Sequence, residues 1–306
     1  MSNLSIKTFE QFSLINEGGG AIKSSRRIRE SEVPLTLEYI KRNLIPLLGI
    51  DDDDFIIIGS IGKKKNPTDT SGDIDLGISA KALSKSLGTS SDLRSVGSSL
   101  NTKVMENLPI GLDESPDVNY LKGLNIVSLG WPIEGDFKNG VVQLDLIPIS
   151  DIEWAKFIYY SPDYRKNESN YKSAHRNWLF SAILATRKKI LSTDDNDEIM
   201  TYKTPVLVLS DGLYNHTKSY EGKLKNRLSK SKKIEGSEEF ITNDPLEFIK
   251  FTMGKSYPIE KVKTFEDVLK IVNSPDFDLS DKVEDIKDQF IQFMERSGLE
   301  MPSEIK

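Results

Sequence analysis

Residues 58–76 read Ile58-Gly59-Ser60-Ile61-Gly62-Lys63-Lys64-Lys65-Asn66-Pro67-Thr68-Asp69-Thr70-Ser71-Gly72-Asp73-Ile74-Asp75-Leu76. At the far end, polar and apolar residues alternate, which predicts a strand over 74–78. Side chains on a strand alternate with period two, so Asp73 and Asp75 share one face while Ile74 and Leu76 enter the core. Two adjacent carboxylates repel one another unless a cation neutralises them. Hard oxygen donors without His or Cys select Mg²⁺ or Mn²⁺. At the near end, the apolar run Phe55–Ile58 closed by Gly59 predicts a short buried strand. Gly59 lets the backbone approach a phosphate closely, and the Ser60 hydroxyl with its neighbouring N–H groups can hold phosphate oxygens.

A third carboxylate follows the same pattern. Asp145 stands inside the apolar stretch Val141-Val142-Gln143-Leu144-Asp145-Leu146-Ile147, which predicts another strand. A buried, unpaired Asp is costly, and a shared metal answers that cost. Three carboxylates on adjacent strands are what a two-metal phosphoryl-transfer site requires. Lys63, Lys64 and Lys65 follow the Gly59-Ser60 turn and are available to neutralise a triphosphate. The spacing in Gly-Ser-Ile-Gly-Lys-Lys-Lys is not that of a P-loop. Asp73-Ile74-Asp75-Leu76-Gly77 is not an EF-hand, because Gly77 occupies the third ligand position.

Gly-Ser after an apolar strand, twelve intervening residues, an Asp-x-Asp strand and a later strand Asp together resemble the DNA-polymerase-β-like nucleotidyltransferases, over roughly residues 35–150. The resemblance implies an α+β fold built on a nucleotidyltransferase-type mixed sheet. It implies that Asp73 and Asp75 bind two Mg²⁺ (or Mn²⁺) ions, and that Asp145 ligates one and helps deprotonate the acceptor. Gly59 and Ser60 would hold the triphosphate of an NTP. The implied reaction moves a nucleoside monophosphate from an NTP to a hydroxyl and releases pyrophosphate. Acceptors in the superfamily include RNA 3′ ends, small molecules, protein side chains and other nucleotides. Relatives usually carry a helix between the turn and the Asp strand, whereas residues 61–72 read as a loop.

Composition narrows the alternatives. A length of 306 residues suggests two domains. Lys and Arg number 41 against 47 Asp and Glu, a net charge of −6, which excludes a uniformly basic nucleic-acid coat but not a local basic patch. No Cys is present, so disulfides, thiolate nucleophiles and cysteine-ligated metals are excluded. His175 and His216 are too few for a three-histidine metal site. No apolar run approaches membrane-spanning length and no secretory signal is visible, so a soluble, cytoplasmic protein is expected.

Along the chain, helices are expected over 33–48, 80–108, 151–160, 169–191, 244–254, 264–273 and 281–297, and strands over 125–131 and 202–210. Pro205 confines the last to a sheet edge. The expected division is a leader and flexible basic segment at 1–30, a catalytic domain at 31–150, and a mostly helical substrate-binding domain at 151–306 with at most one hairpin.

Three further features have competing readings. Helix 169–191 sets Lys172 and Arg176, and Tyr171 and His175, one turn apart. The resemblance implies that Lys172 and Arg176 contact the nucleotide; the alternative is an ordinary amphipathic helix. Residues 218–233 hold seven Lys/Arg and one Glu, with Tyr214 and Tyr220 nearby, which suits RNA or a tRNA 3′ end as acceptor or else a solvated loop. Residues 1–17 form a short amphipathic leader, and Ile15-Asn16-Glu17 before Gly18 resembles a prohead-protease cleavage context of tailed phages. That resemblance raises the alternative of a packaged, non-catalytic virion protein that retains the fold.

Overall fold

The computed structural model describes residues 20–107, 117–193, 199–221 and 232–305, and the chain divides into two compact units, Met1–Ser173 and Ala174–Lys306. The first unit runs β1 (Ile28–Arg29), α1 (Val33–Leu48), β2 (Phe55–Ile58), β3 (Thr70–Ser71), β4 (Asp73–Ser79), α2 (Ala80–Leu87), α3 (Leu93–Asn107), β5 (Val118–Leu121), β6 (Ile126–Pro132), β7 (Val141–Ile149) and α4 (Ile152–Ile158). Five of its strands form one mixed sheet in the order β2-β4-β7-β6-β5. Only β4 and β7 are parallel; the other neighbours are antiparallel. Parallel neighbours need a long crossover, and here it carries α2, α3 and the β5–β6 hairpin.

Period-two alternation sorts the two faces. Ile74, Leu76 and Ile78 of β4 and Val142, Leu144 and Leu146 of β7 enter a large core with residues of α1, α2 and α3. On the other face, Ile147 and Ile149 join Ile58, Ile126 and Ala155 of α4 in a smaller core. Asp73, Asp75, Gln143 and Asp145 share this second face, nearer the starts of β4 and β7 than the isoleucines. The packing of α4 against β2 and β4 is why the first unit extends past residue 150 to Ser173.

The single helix expected over 80–108 is two. Gly88, at φ 62°, ends α2, and the Asp92 carboxylate caps α3 by accepting the Ser95 N–H at 3.0 Å. Residues 59–69 contain no helix, as the loop reading of that stretch expected. The basic segment before α1 is not flexible over its described part. Ile22 and Ile28 are buried, β1 pairs with β3, and Ser25 bridges to Val141 at a point where β4 has not yet begun.

The second unit holds most of α5 (Ser173–Thr186), then β8 (Lys189–Thr193), β9 (Ile199–Val208), β10 (Gly212–Glu221), β11 (Lys232–Thr242), α6 (Pro245–Met253), α7 (Phe265–Val272) and α8 (Val283–Ser297). Its strands form an antiparallel sheet, β11-β10-β9-β8, in place of the single hairpin expected. Strand β9 is therefore interior. Pro205 is tolerated because β8 pairs only with Met200–Lys203, which leaves β9 locally uncovered at the proline. Helix α5 is buried on nearly every side, and aromatic pairs such as Phe180–Phe248 and Phe265–Phe290 fill the core around it. Among the described residues no helix is long and apolar enough to cross a membrane.

Candidate metal centre

In the parallel β4–β7 pair, Asp75 stands opposite Asp145 and Asp73 opposite Gln143. One carboxylate oxygen from each of Asp73, Asp75 and Asp145 lies within 4.8 Å of the other two. Burial pushes Asp73 up to about 6, and the Asp145 charge adds to that, against the opposing charges of Arg27 and Lys172. Asp75 is pushed well above the carboxylate range by burial and then by Asp73 and Asp145. Asp145 is also raised by burial, although the Ser128 hydroxyl and the Gln143 amide favour its ionised form. Burial and the Asp75 charge likewise push the Tyr159 phenol up. Three carboxylates that cannot all ionise side by side are a donor set a divalent cation would satisfy. An all-oxygen set fits Mg²⁺ or Mn²⁺ rather than a softer metal.

The Gly59-Ser60 turn lies against this cluster. Ile58 pairs with Asp75 across β2 and β4, so the chain leaves β2 beside that carboxylate. Gly59 has φ +76°, and a Cβ there would lie 2.7 Å from Asp75 Oδ2. Only glycine combines that left-handed backbone with that closeness. Ser60 follows, half-buried. Lys63 Nζ donates to the Ser161 carbonyl at 2.9 Å and to the Gly59 carbonyl at 3.3 Å, and lies 5.6 Å from the centre of the Tyr160 ring. Lys63 thus braces the turn through its backbone.

Two participants were not singled out from sequence. Gln143 Nε2 donates to both oxygens of Asp145, at 3.0 and 3.1 Å, while its Oε1 accepts the N–H groups of Ala21 and Ile22 at 2.9 and 3.2 Å. This fixes the amide orientation and aims its donors at the carboxylate. A polar residue two places before Asp145 in an apolar strand was the available signal, because both must share a face. Arg27 carried no such signal. Its guanidinium is tied to Thr70, with Nε donating to Oγ1 at 2.8 Å and Nη2 to the carbonyl at 3.0 Å, three residues before Asp73.

The remaining candidates are placed elsewhere or only partly described. Helix α5 begins at Ser173, so Lys172 precedes it and does not share a helical face with Arg176. Lys172 is exposed, belongs to the first unit and acts electrostatically on Asp73. Arg176 is buried in the second unit, where Nη1 donates to the Lys263 carbonyl at 3.0 Å and the guanidinium lies over the Phe180 ring. His175 is buried there too, with Nε2 3.0 Å from the Glu300 carbonyl oxygen, and Tyr171 precedes the helix. Of the basic stripe, Lys218 lies on β10 and Lys232 and Lys233 on β11; residues 222–231 lie outside the described residues, as does the leader 1–17. Tyr214 packs edge-on against Phe240, and the Tyr220 side chain is not among those described. No protein-family model matches the chain, and neither does any curated protein or solved structure.

Proposed function

We propose that the chain is a metal-dependent nucleotidyltransferase that moves a nucleoside monophosphate from an NTP to a hydroxyl acceptor. The observation that carries this reading is the union of three mutually close carboxylates with a glycine turn against one of them. Mg²⁺ or Mn²⁺ held by Asp73, Asp75 and Asp145 would supply charge to offset the triphosphate and acidify the acceptor hydroxyl. Gly59 leaves open backbone beside Asp75, and the Ser60 hydroxyl hydrogen-bonds the polyphosphate. An Asp145 oxygen, oriented by Gln143, accepts the acceptor's proton. The acceptor oxygen then bonds to the α-phosphorus as the α–β phosphoanhydride bond breaks, and pyrophosphate leaves.

An RNA 3′ end is the acceptor this reading favours, supported by the basic composition of 218–233. The test supplies each labelled NTP with Mg²⁺ to the full chain in the presence of total RNA, protein or a panel of small hydroxylated molecules. Label in RNA that vanishes in Asp73→Asn, Asp75→Asn and Asp145→Asn is the expected result. Label confined to protein or to a small molecule would replace the acceptor. Absence of transfer under every condition would overturn the reading.

A further inference from the structure

We propose that strand β11 pairs edge to edge with the same strand of a second copy of this chain, antiparallel about a two-fold axis between Glu235 and Gly236. In the sheet β11-β10-β9-β8, β11 has one neighbour, β10, so a row of its backbone N–H and C=O groups faces away from the sheet. Among the described residues, no backbone hydrogen bond from 232–241 leaves the β10 ladder. The strand is long, Lys232–Thr242, and residues 236–240 are all exposed. An open edge of this length accepts another strand unless its charges forbid it.

The charge pattern selects the partner. The strand opens with Lys232-Lys233 and carries Glu238-Glu239 towards its far end. Parallel copies in register would set lysine against lysine and glutamate against glutamate, which opposes pairing. In the antiparallel arrangement, Lys232 stands opposite the partner's Glu239 and Lys233 opposite the partner's Glu238, and the two-fold axis repeats both pairs. Between them Ile234 meets Ser237 and Glu235 meets Gly236. The faces agree as well. The β10 register places Lys233 and Glu238 opposite Tyr220 and His216 on one face, and Lys232 and Glu239 opposite Glu221 and Asn215 on the other. The irregularity between Ser219 and Tyr220 falls inside this span and recurs in both copies, so the count is kept. Glu239 is charged and accessible: Lys203 Nζ donates to its Oε2 at 2.6 Å and holds it below the usual carboxylate range, while 65% of the side chain stays open to a second cation. Glu238, with Oε1 3.5 Å from His216 Nε2, is open in part.

Two paired strand edges lie at the small end of protein interfaces, so a Kd on the order of 10–100 μM is expected. Sedimentation velocity of the full chain, from about 1 to 300 μM at low salt, brackets that value. Wild type should pass from monomer to dimer as concentration rises, and added salt should reverse the shift. Lys232→Glu/Lys233→Glu makes the strand acidic at both ends, and Glu238→Lys/Glu239→Lys makes it basic at both, so each variant alone should stay monomeric. An equimolar mixture of the two should dimerise, because every charge then meets its opposite. The second variant leaves the basic stripe 218–233 intact, which separates pairing from RNA affinity. Amide exchange needs no variant: in wild type, exchange over 232–239 should slow as concentration rises. A wild type that stays monomeric, a dimer that persists in both variants, or a mixture of folded variants that does not associate would overturn the pairing. So would exchange that ignores concentration, or that slows only when RNA or another protein is added. Neither measurement requires turnover, so the outcome is independent of the nucleotidyl-transfer reading.

Discussion

At Gly59 the backbone takes φ +76° and a β-carbon would lie 2.7 Å from Asp75 Oδ2, so an added methyl group must displace the carboxylate, the turn, or both. Gly59→Ala should therefore lower transfer far more than it lowers stability, which strain of this kind reduces by about 1–3 kcal/mol; equal activity in the two proteins would contradict the role given to the turn. Gln143→Leu removes the donors that hold Asp145 and should reduce kcat by about 10–100-fold while the KM for NTP stays near that of wild type. The acid cluster also has a signature in stability. Asp73 is raised from 3.8 to about 6, so across that interval the folded protein binds more protons than the unfolded chain. Metal-free stability must then fall as pH rises through that window. Mg²⁺ should reverse the trend, raising Tm near neutral pH and hardly at all near pH 4, because protonated carboxylates do not ligate. Thermal unfolding with and without Mg²⁺ across that range checks the sign, and Asp73→Asn should flatten the metal-free slope.

Between elements, the N-terminal arm is the feature that joins fold to site. Ala21 and Ile22 hold Gln143, Arg27 reaches Thr70, and Ile22 and Ile28 are buried. Removing residues 1–17 should leave Tm and transfer almost unchanged. Removing 1–28 exposes the sites of two isoleucines, each contributing about 1.5–3 kcal/mol, and should lower Tm sharply. A mild effect of the longer deletion would mean that the arm is not part of the folded unit. The arm also shows where sequence ran out. Strands β2, β4 and β7 were legible because apolar runs and period-two alternation report burial directly, and the Asp73, Asp75 and Asp145 cluster followed from their shared parity. The break between α2 and α3 was missed: Gly88 and Asp92 mark it, but the expectation over 80–108 is one helix. Nothing local in Arg26-Arg27-Ile28-Arg29 marks a two-residue strand, since its partner Thr70–Ser71 lies some forty residues away. The interior position of β9 was hidden for a similar reason: Pro205 argues for an edge, and only the short reach of β8 reconciles the two.

Over the whole molecule, a net charge of −6 means that any nucleic-acid affinity must come from local contacts. If about four of the basic groups in 218–233 touch phosphates of single-stranded RNA, the logarithm of the binding constant should fall with that of salt with a slope around −3. Replacing Lys225, Arg227, Lys230 and Lys232 by Gln should flatten the slope, while a flat curve in wild type would remove RNA as acceptor. The central claim concerns which phosphorus is attacked, and two labels decide it. With ATP, or whichever NTP proves active, carrying label at the α- or the γ-phosphate, transfer by the full chain in Mg²⁺ should place α-label covalently on the acceptor and γ-label wholly in pyrophosphate. Asp75→Asn should abolish both signals. Appearance of γ-label on the acceptor, or its release as orthophosphate with no α-label transferred, would contradict nucleotidyl transfer at the Asp73–Asp75–Asp145 centre.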